Sequence, residues 1–223
     1  MALIQTAKQV IPAVIGEPWG GGYFGGYIST TADGIPTHAL IVAPVATGQV
    51  SNRAWASGTY ASTTVSSAGF GSLSVFDGPA NMAILTSIGI AQFPAAEFCK
   101  NLTIGGFNDW YLGSPAEHDI VYSNLKPSTT ANRAPSQGFV YGANPYAVPA
   151  RTTPSSITNP VQTGVTLFRS GGAEAFGTAI LYFTSRESGA TQANAYSYSD
   201  NNYGAGGKTG LLVTRAFRRV AIS

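Results

Sequence analysis

The strongest constraint on this 223-residue chain is how often regular structure is interrupted, because 27 glycines and 13 prolines are scattered through it. Glycine and proline both weaken helix and strand interiors, which suits a chain rich in loops and turns. Only 10% of the residues are charged, against a typical share of roughly a quarter. Ser, Thr and Asn stand in their place, which suits a loop-rich, β-containing surface wetted by hydroxyls and amides. A hydrophobic fraction of 44%, with 11 Tyr and 11 Phe, is too high for a disordered chain. The length suits one large domain, or one domain with a short attachment arm.

Charge excludes one class of partner. The net charge of +2 comes from small opposed totals, and no run of Lys or Arg is present to neutralise a phosphate backbone. Nucleic acid is therefore not expected. Cys99 is the single cysteine, so stability must come from packing and not from internal disulfides. No apolar run reaches the roughly 20 residues of a membrane span, and Met1 to Pro12 lacks the layout of a signal peptide. Synthesis in a cytoplasm, followed by assembly into a particle released by lysis, is the expected route, with no membrane insertion.

Along the chain, Met1 to Pro18 reads as an extended arm whose Val10, Ile11, Val14 and Ile15 could dock on a partner. The domain is expected from Trp19 to Ser223. Gly22 to Thr30 and His38 to Pro44 read as strands of a hairpin turning at Asp33-Gly34. Thr47 to Phe76 is an irregular stretch anchored by Trp55, Tyr60 and Phe70. Helices are expected from Ala80 to about Leu85 and from Pro94 to Leu102.

Ser114-Pro115-Ala116-Glu117 is a capping box opening a helix whose apolar stripe is Ala116, Ile120, Val121 and Leu125, ended by Pro127. Ser128 to Gly164 reads as a loop of functional length. Strands return at Thr178 to Ser185, Asn194 to Ser199 and Leu211 to Ile222, with Gly204 to Gly210 as the last turn.

Several segments in order resemble a family of phage and bacterial domains with the C-type-lectin-like fold. Gly106-Phe107-Asn108-Asp109-Trp110-Tyr111-Leu112-Gly113-Ser114 is similar to its Asp-Trp-Tyr-Leu-Pro-Ser signature, and Tyr182-Phe183-Thr184-Ser185-Arg186-Glu187 to its Tyr-Trp-Ser-Ser-Thr-Glu motif. Gly21 to Gly26, Ala39 to Pro44, Asp77-Gly78 with Ala80-Asn81, Ala95-Ala96 with Cys99, Ser170 to Phe176, and Arg215 to Val220 resemble further landmarks. Gly113, Phe183 and Arg186 depart from the family's Pro, Trp and Thr, so packing near both signatures is expected to differ.

The resemblance implies an α+β fold with small antiparallel sheets, flanking helices, long loops and neighbouring termini. It also implies a virion location, because such domains occur in tail fibres, receptor-binding proteins and other phage appendages. A host-surface glycan or protein, other virion proteins reached through the arm, and further copies of the chain are the expected partners; no cofactor is implied.

Asn194, Tyr196, Tyr198, Asp200, Asn201, Asn202 and Tyr203 form the candidate ligand-binding set. Tyrosine supplies rigid amphipathic area at low entropic cost, and Asn and Ser supply adaptable hydrogen bonds. In the family the corresponding segment lies on the ligand face. The competing reading is an ordinary edge hairpin. Asp109 with Trp110 suggests a calcium and sugar site, but ten acids without a close cluster fall short of the 6–8 oxygens calcium takes. Arg215, Arg218 and Arg219 are expected to pair with Glu117, Asp109 or Glu187. His38 and His118 read as surface or strand residues, and Cys99 as a small buried one.

No catalytic motif is present. Formylglycine-generating enzymes share the general fold but use paired cysteines, so a non-enzymatic role is expected.

Overall fold

The computed structural model describes residues 10–65, 73–133 and 143–222. One nine-stranded, mostly antiparallel sheet organises them. It comprises β1 (Pro18–Trp19), β2 (Gly22–Ile28), β3 (His38–Val42), β4 (Gln49–Arg53), β5 (Tyr111–Leu112), β6 (Leu181–Glu187), β7 (Gln192–Ser197), β8 (Tyr203–Gly207) and β9 (Leu212–Ala221). The path runs β1-β2-β3-β9-β6-β7-β8, with β4 and β5 also paired to β9. Four helices accompany the sheet: α1 (Val45–Gly48), α2 (Gly78–Gly89), α3 (Pro94–Lys100) and α4 (Pro115–Leu125). The fold is therefore mixed α+β, but built on a single large sheet where small separate sheets are expected from the sequence.

The last long strand is the hub. β3 pairs with it from Phe217 to Ala221, β4 from Leu212 to Arg215, β5 at Ala216 and Phe217, and β6 in parallel at Val213. The segments around Trp110, Tyr182 and Arg218 thus converge on one sheet. Its basic residues face acids carried by loops and helices. Arg218 Nε donates to Asp109, and Arg219 Nε donates to Glu117 Oε1 at 2.6 Å, as the sequence suggests. Arg215 instead pairs with Glu174, at 2.7 Å, while Glu187 takes Lys208 Nζ at 2.5 Å.

The hairpin at Asp33-Gly34 is present. Asp33 Oδ1 accepts from Ile35 N–H and Ser29 Oγ, and Gly34 takes a φ of +79° that favours glycine. A bulge between Phe24 and Gly26 bends β2, and Gly26 at φ +122° takes a conformation that favours glycine, with the Asn124 amide so close that a Cβ there would displace it.

The expected helices form, α2 running longer than its apolar residues suggest. Asp77 caps it by accepting from Ala80 N–H at 3.1 Å. In α4, Glu117 Oε2 accepts from Ser114 N–H at 2.6 Å, the return half of the capping box. Ser114 Oγ is buried and makes no bond of ordinary geometry. Glu117 is held further by Tyr111 Oη at 2.5 Å and by Arg219, so burial of this carboxylate is compensated on three sides.

Two boundaries differ from expectation. Gly16 N–H donates to Phe24 O and Phe24 N–H to Glu17 O, so the sheet begins inside the expected arm; residues 1–9 lie outside the described ones. Residues 204–207, expected in the last turn, belong instead to β8. Trp55 is buried, with Nε1 donating to Thr184 O and Lys208 over its ring; Phe70 lies outside the described residues.

Candidate functional site

The structure divides the seven candidate residues. Tyr196, Tyr198 and Asn201 are fully buried, and Asn194 nearly so. Asp200, Asn202 and Tyr203 are half-exposed. The division follows from topology: β7 lies between β6 and β8, and α4 packs against it. Every residue of β7 after Gln192 is buried, so both of its faces are covered. Tyr196 and Tyr198 are therefore core residues here, a correction to the expected tyrosine-lined contact surface. Their hydroxyls satisfy themselves internally. Tyr196 Oη donates to Asp119 Oδ1 at 3.2 Å and abuts the Asn201 side-chain amide, while Tyr198 Oη lies 3.1 Å from His118 Nδ1 and its ring stacks on Phe176 at 3.7 Å.

His118 is corrected as well, because it is buried on α4 and not on the surface. Burial pushes its imidazole down to about 3 from an ordinary 6.5, and Nε2 has no hydrogen-bond partner. The unfolded chain takes up this proton near its ordinary value while the folded chain refuses it, so stability is complete above that value and falls as pH drops. From about pH 7 to pH 5 the site is expected to cost about 2 kcal/mol. Asp119, raised first by burial, acts in the opposite sense: its contribution is present at acid pH and lost as pH rises through the folded value. Urea unfolding at several pH values checks this, and His118→Phe should flatten the slope. An unchanged slope would place the proton uptake elsewhere, for example at His38, whose imidazole is also lowered by burial.

What α4 and the residue after it do carry is a support for the long irregular segment. Lys126, itself buried, donates to Thr130 O at 2.6 Å, Asn132 Oδ1 at 2.7 Å and Pro160 O at 3.2 Å. Burial lowers its ammonium pKa, yet three acceptors surround the group. Tyr122 Oη donates to Asn132 Oδ1 at 2.5 Å, and Asn132 Nδ2 reaches Ser156 O and Pro160 O, both at 3.0 Å. Deeper in, Asp119 accepts from Asn144 Nδ2 at 2.8 Å and from Arg151. The described parts of this segment, which carry only isolated β-bridges, are thus fastened from beneath by buried polar side chains.

The hairpin tip joins that loop. Arg133 N–H donates to Asp200 O at 2.8 Å, Arg133 Nε pairs with Asp200 Oδ2 at 2.9 Å, and Asn201 Nδ2 lies 3.4 Å from Ser155 Oγ. Asn201 takes φ +64°, a left-handed turn conformation that asparagine tolerates. Asn132 N–H donates to Ile157 O, which brings 130–133, 155–159 and 199–202 into one rim. Ile157 stands 57% exposed on it, beside polar neighbours. Arg133, Ile157 and the Lys126–Asn132 support are not marked as site residues by sequence reasoning; the signal available is the unusual length of the segment from Ser128.

Asp109 and Trp110 line a separate concavity of about 940 Å³ with His38, Asp77, Lys100 and Arg219. Asp109 is engaged by Arg218, and Trp110 is buried with Nε1 donating to Phe107 O at 3.0 Å. Among the described residues no three His, Cys, Asp or Glu side chains come together in a way that could hold a metal ion.

No protein-family model matches the chain, and no curated protein does. Among solved structures it is similar to a fimbrial protein from Bacteroides ovatus, at 13% sequence identity and a TM-score of 0.41. The alignment covers 84% of this chain and 36% of that one, so the chain spans little more than a third of the length of the structure it matches.

Proposed function

We propose that the chain is a C-type-lectin-like domain serving as a non-enzymatic binding module of a bacteriophage particle, in a tail fibre or baseplate that recognises the host surface. The contact surface is the rim formed by 130–133, 155–159 and 199–202. One observation carries the reading: buried Lys126 and Asn132, bonded to each other, also donate to the loop carbonyls of Thr130, Ser156 and Pro160 beneath that rim. Ordering a loop costs about 1–2 kcal/mol per residue, and a loop held against that cost is preorganised to meet a partner. The ordered series of family-like segments, meeting on β9, supports the lectin-like assignment and with it the virion location.

Labelled protein offered to host cells tests the reading. Ile157→Asp, at an exposed position, is expected to weaken retention by about tenfold or more with an unchanged melting temperature, as for a residue in the centre of a contact patch. Full retention by this variant and by Asn202→Ala removes the rim from the interface.

A second reading, a head decoration or appendage subunit, is favoured by the opposite pattern of exposure near the start. Val10 is 85% and Val14 55% exposed, and Val14 lines a concavity with Ile15, Asn124 and Val165. Apolar side chains left in water this way suit a docking contact with other virion proteins. Under this reading the protein binds purified particles tightly, host cells not at all, and Val10→Asp with Val14→Asp abolishes the particle association.

A further inference from the structure

The two ends of the sheet are finished differently. β1 is two residues long and begins with Pro18, and short length and proline are both devices that blunt an edge. β8, at the other end, contains no charged residue and no proline, and three of its five residues are glycines. Among the described residues no strand pairs with its outer side.

The direction of its main chain can be read from its ends. Asn202 O accepts from Ser197 N–H at 2.8 Å, and Lys208 N–H donates to Thr191 O at 2.8 Å. Inward and outward residues alternate along an antiparallel strand, so Gly204 and Gly206 also face β7. The N–H and C=O groups of Tyr203, Ala205 and Gly207 then face away from the sheet. Such a neutral, unguarded edge is a template for another extended strand.

We propose that β8 pairs antiparallel with β8 of a second copy across a two-fold axis at Ala205. Side-chain size selects this occupant. Centring on Ala205 sets Tyr203 opposite the partner's Gly207, and Gly204 opposite the partner's Gly206. Each bulky ring meets a residue without a side chain, so both copies fill the gap that the other leaves. Space is available: a Cβ at Gly204 would meet nothing within 4 Å, and one at Gly207 only Gly210 N at 4.0 Å. No like charges oppose one another within the paired strands. About six main-chain hydrogen bonds form, two at Ala205 and two at each Tyr203–Gly207 pair. Gly207 O already accepts from Gly210 N–H at 2.9 Å and keeps a second lone pair. The proposal stands apart from host recognition and holds under either reading above.

Sedimentation of the full chain over a concentration series tests it. The wild type is expected to form a reversible dimer. Ala205→Pro removes one outward N–H from each strand without touching the β7 ladder, and Ala205→Lys opposes two charges at the axis. Each is expected to raise the dissociation constant about 30-fold or more while leaving the circular dichroism of the monomer unchanged. In the wild type, amide exchange at Tyr203, Ala205 and Gly207 should slow as concentration rises, a measurement that remains decisive if both variants misfold. A monomer at every concentration, including one whose edge takes a strand from a different protein, overturns the proposal. So does a dimer without slowed exchange at these amides.

Discussion

Arg215→Ala is expected to destabilise the fold by about 3–5 kcal/mol, the loss that follows when one partner of a buried ion pair is removed. Arg215 is wholly buried in β9. Its Nε donates to Ala43 O at 2.8 Å, Nη1 to Glu174 O at 2.9 Å and Nη2 to Glu174 Oε2 at 2.7 Å. The guanidinium also lies 4.5 Å from the centre of the Phe176 ring. Burial pushes its pKa down, and Glu174 together with the nearby tyrosines holds it up. Alanine leaves the Glu174 carboxylate facing a cavity, with Val45 N–H, at 2.8 Å, and a longer contact from Tyr23 as its remaining donors. The pair Arg215→Met with Glu174→Gln should cost less than Arg215→Ala alone, because both charges leave together. Urea midpoints of the three proteins check the order. If Arg215→Ala unfolds at the wild-type midpoint, the pair is not holding the 170–176 segment to the sheet.

That pair shows where sequence reasoning reaches and where it stops. Arg218 with Asp109 and Arg219 with Glu117 are legible because acids and bases are few and the motif segments suggest neighbours. Arg215 finds Glu174 across an irregular stretch whose path no periodicity encodes. Helix α4 is legible from its cap and from Pro127. Its exposure is not, since Glu117, His118 and Asp119 are buried as fully as the apolar stripe. A polar residue on a helix normally marks the solvent side. Here each has a partner supplied by a strand or loop distant in sequence.

The same cause misplaces β7. Asn194 and Ser197 give it the look of an exposed edge, and β8, rich in glycine, gives the look of a turn. Only the pairing of the two strands reveals that β8 takes the edge and β7 the interior. The polar rim of 130–133 and 155–159 escapes detection for a related reason. Its residues carry no motif, and what singles them out is the buried Lys126 and Asn132 below.

The burial of Tyr198 turns a binding expectation into a stability one. Tyr198→Ala is expected to cost about 3–5 kcal/mol, the usual range for emptying a large aromatic site in a core. The ring is stacked on Phe176 with centroids 3.7 Å apart and planes inclined by 4°, and it meets Tyr182 edge-on at 5.2 Å. Tyr198→Phe keeps that packing and removes only the hydroxyl near His118 Nδ1, so a loss of about 1 kcal/mol is expected. Phe176 also lies under Arg215, which places both large effects in one cluster. Combining Tyr198→Ala with Arg215→Ala should therefore depart from additivity by about 0.5–3 kcal/mol, because each change loosens the ring that the other needs. Melting and urea curves of the four proteins decide the matter. If Tyr198→Ala melts like the wild type and loses only host-cell retention, the ring belongs to an exposed contact surface and the buried placement is wrong.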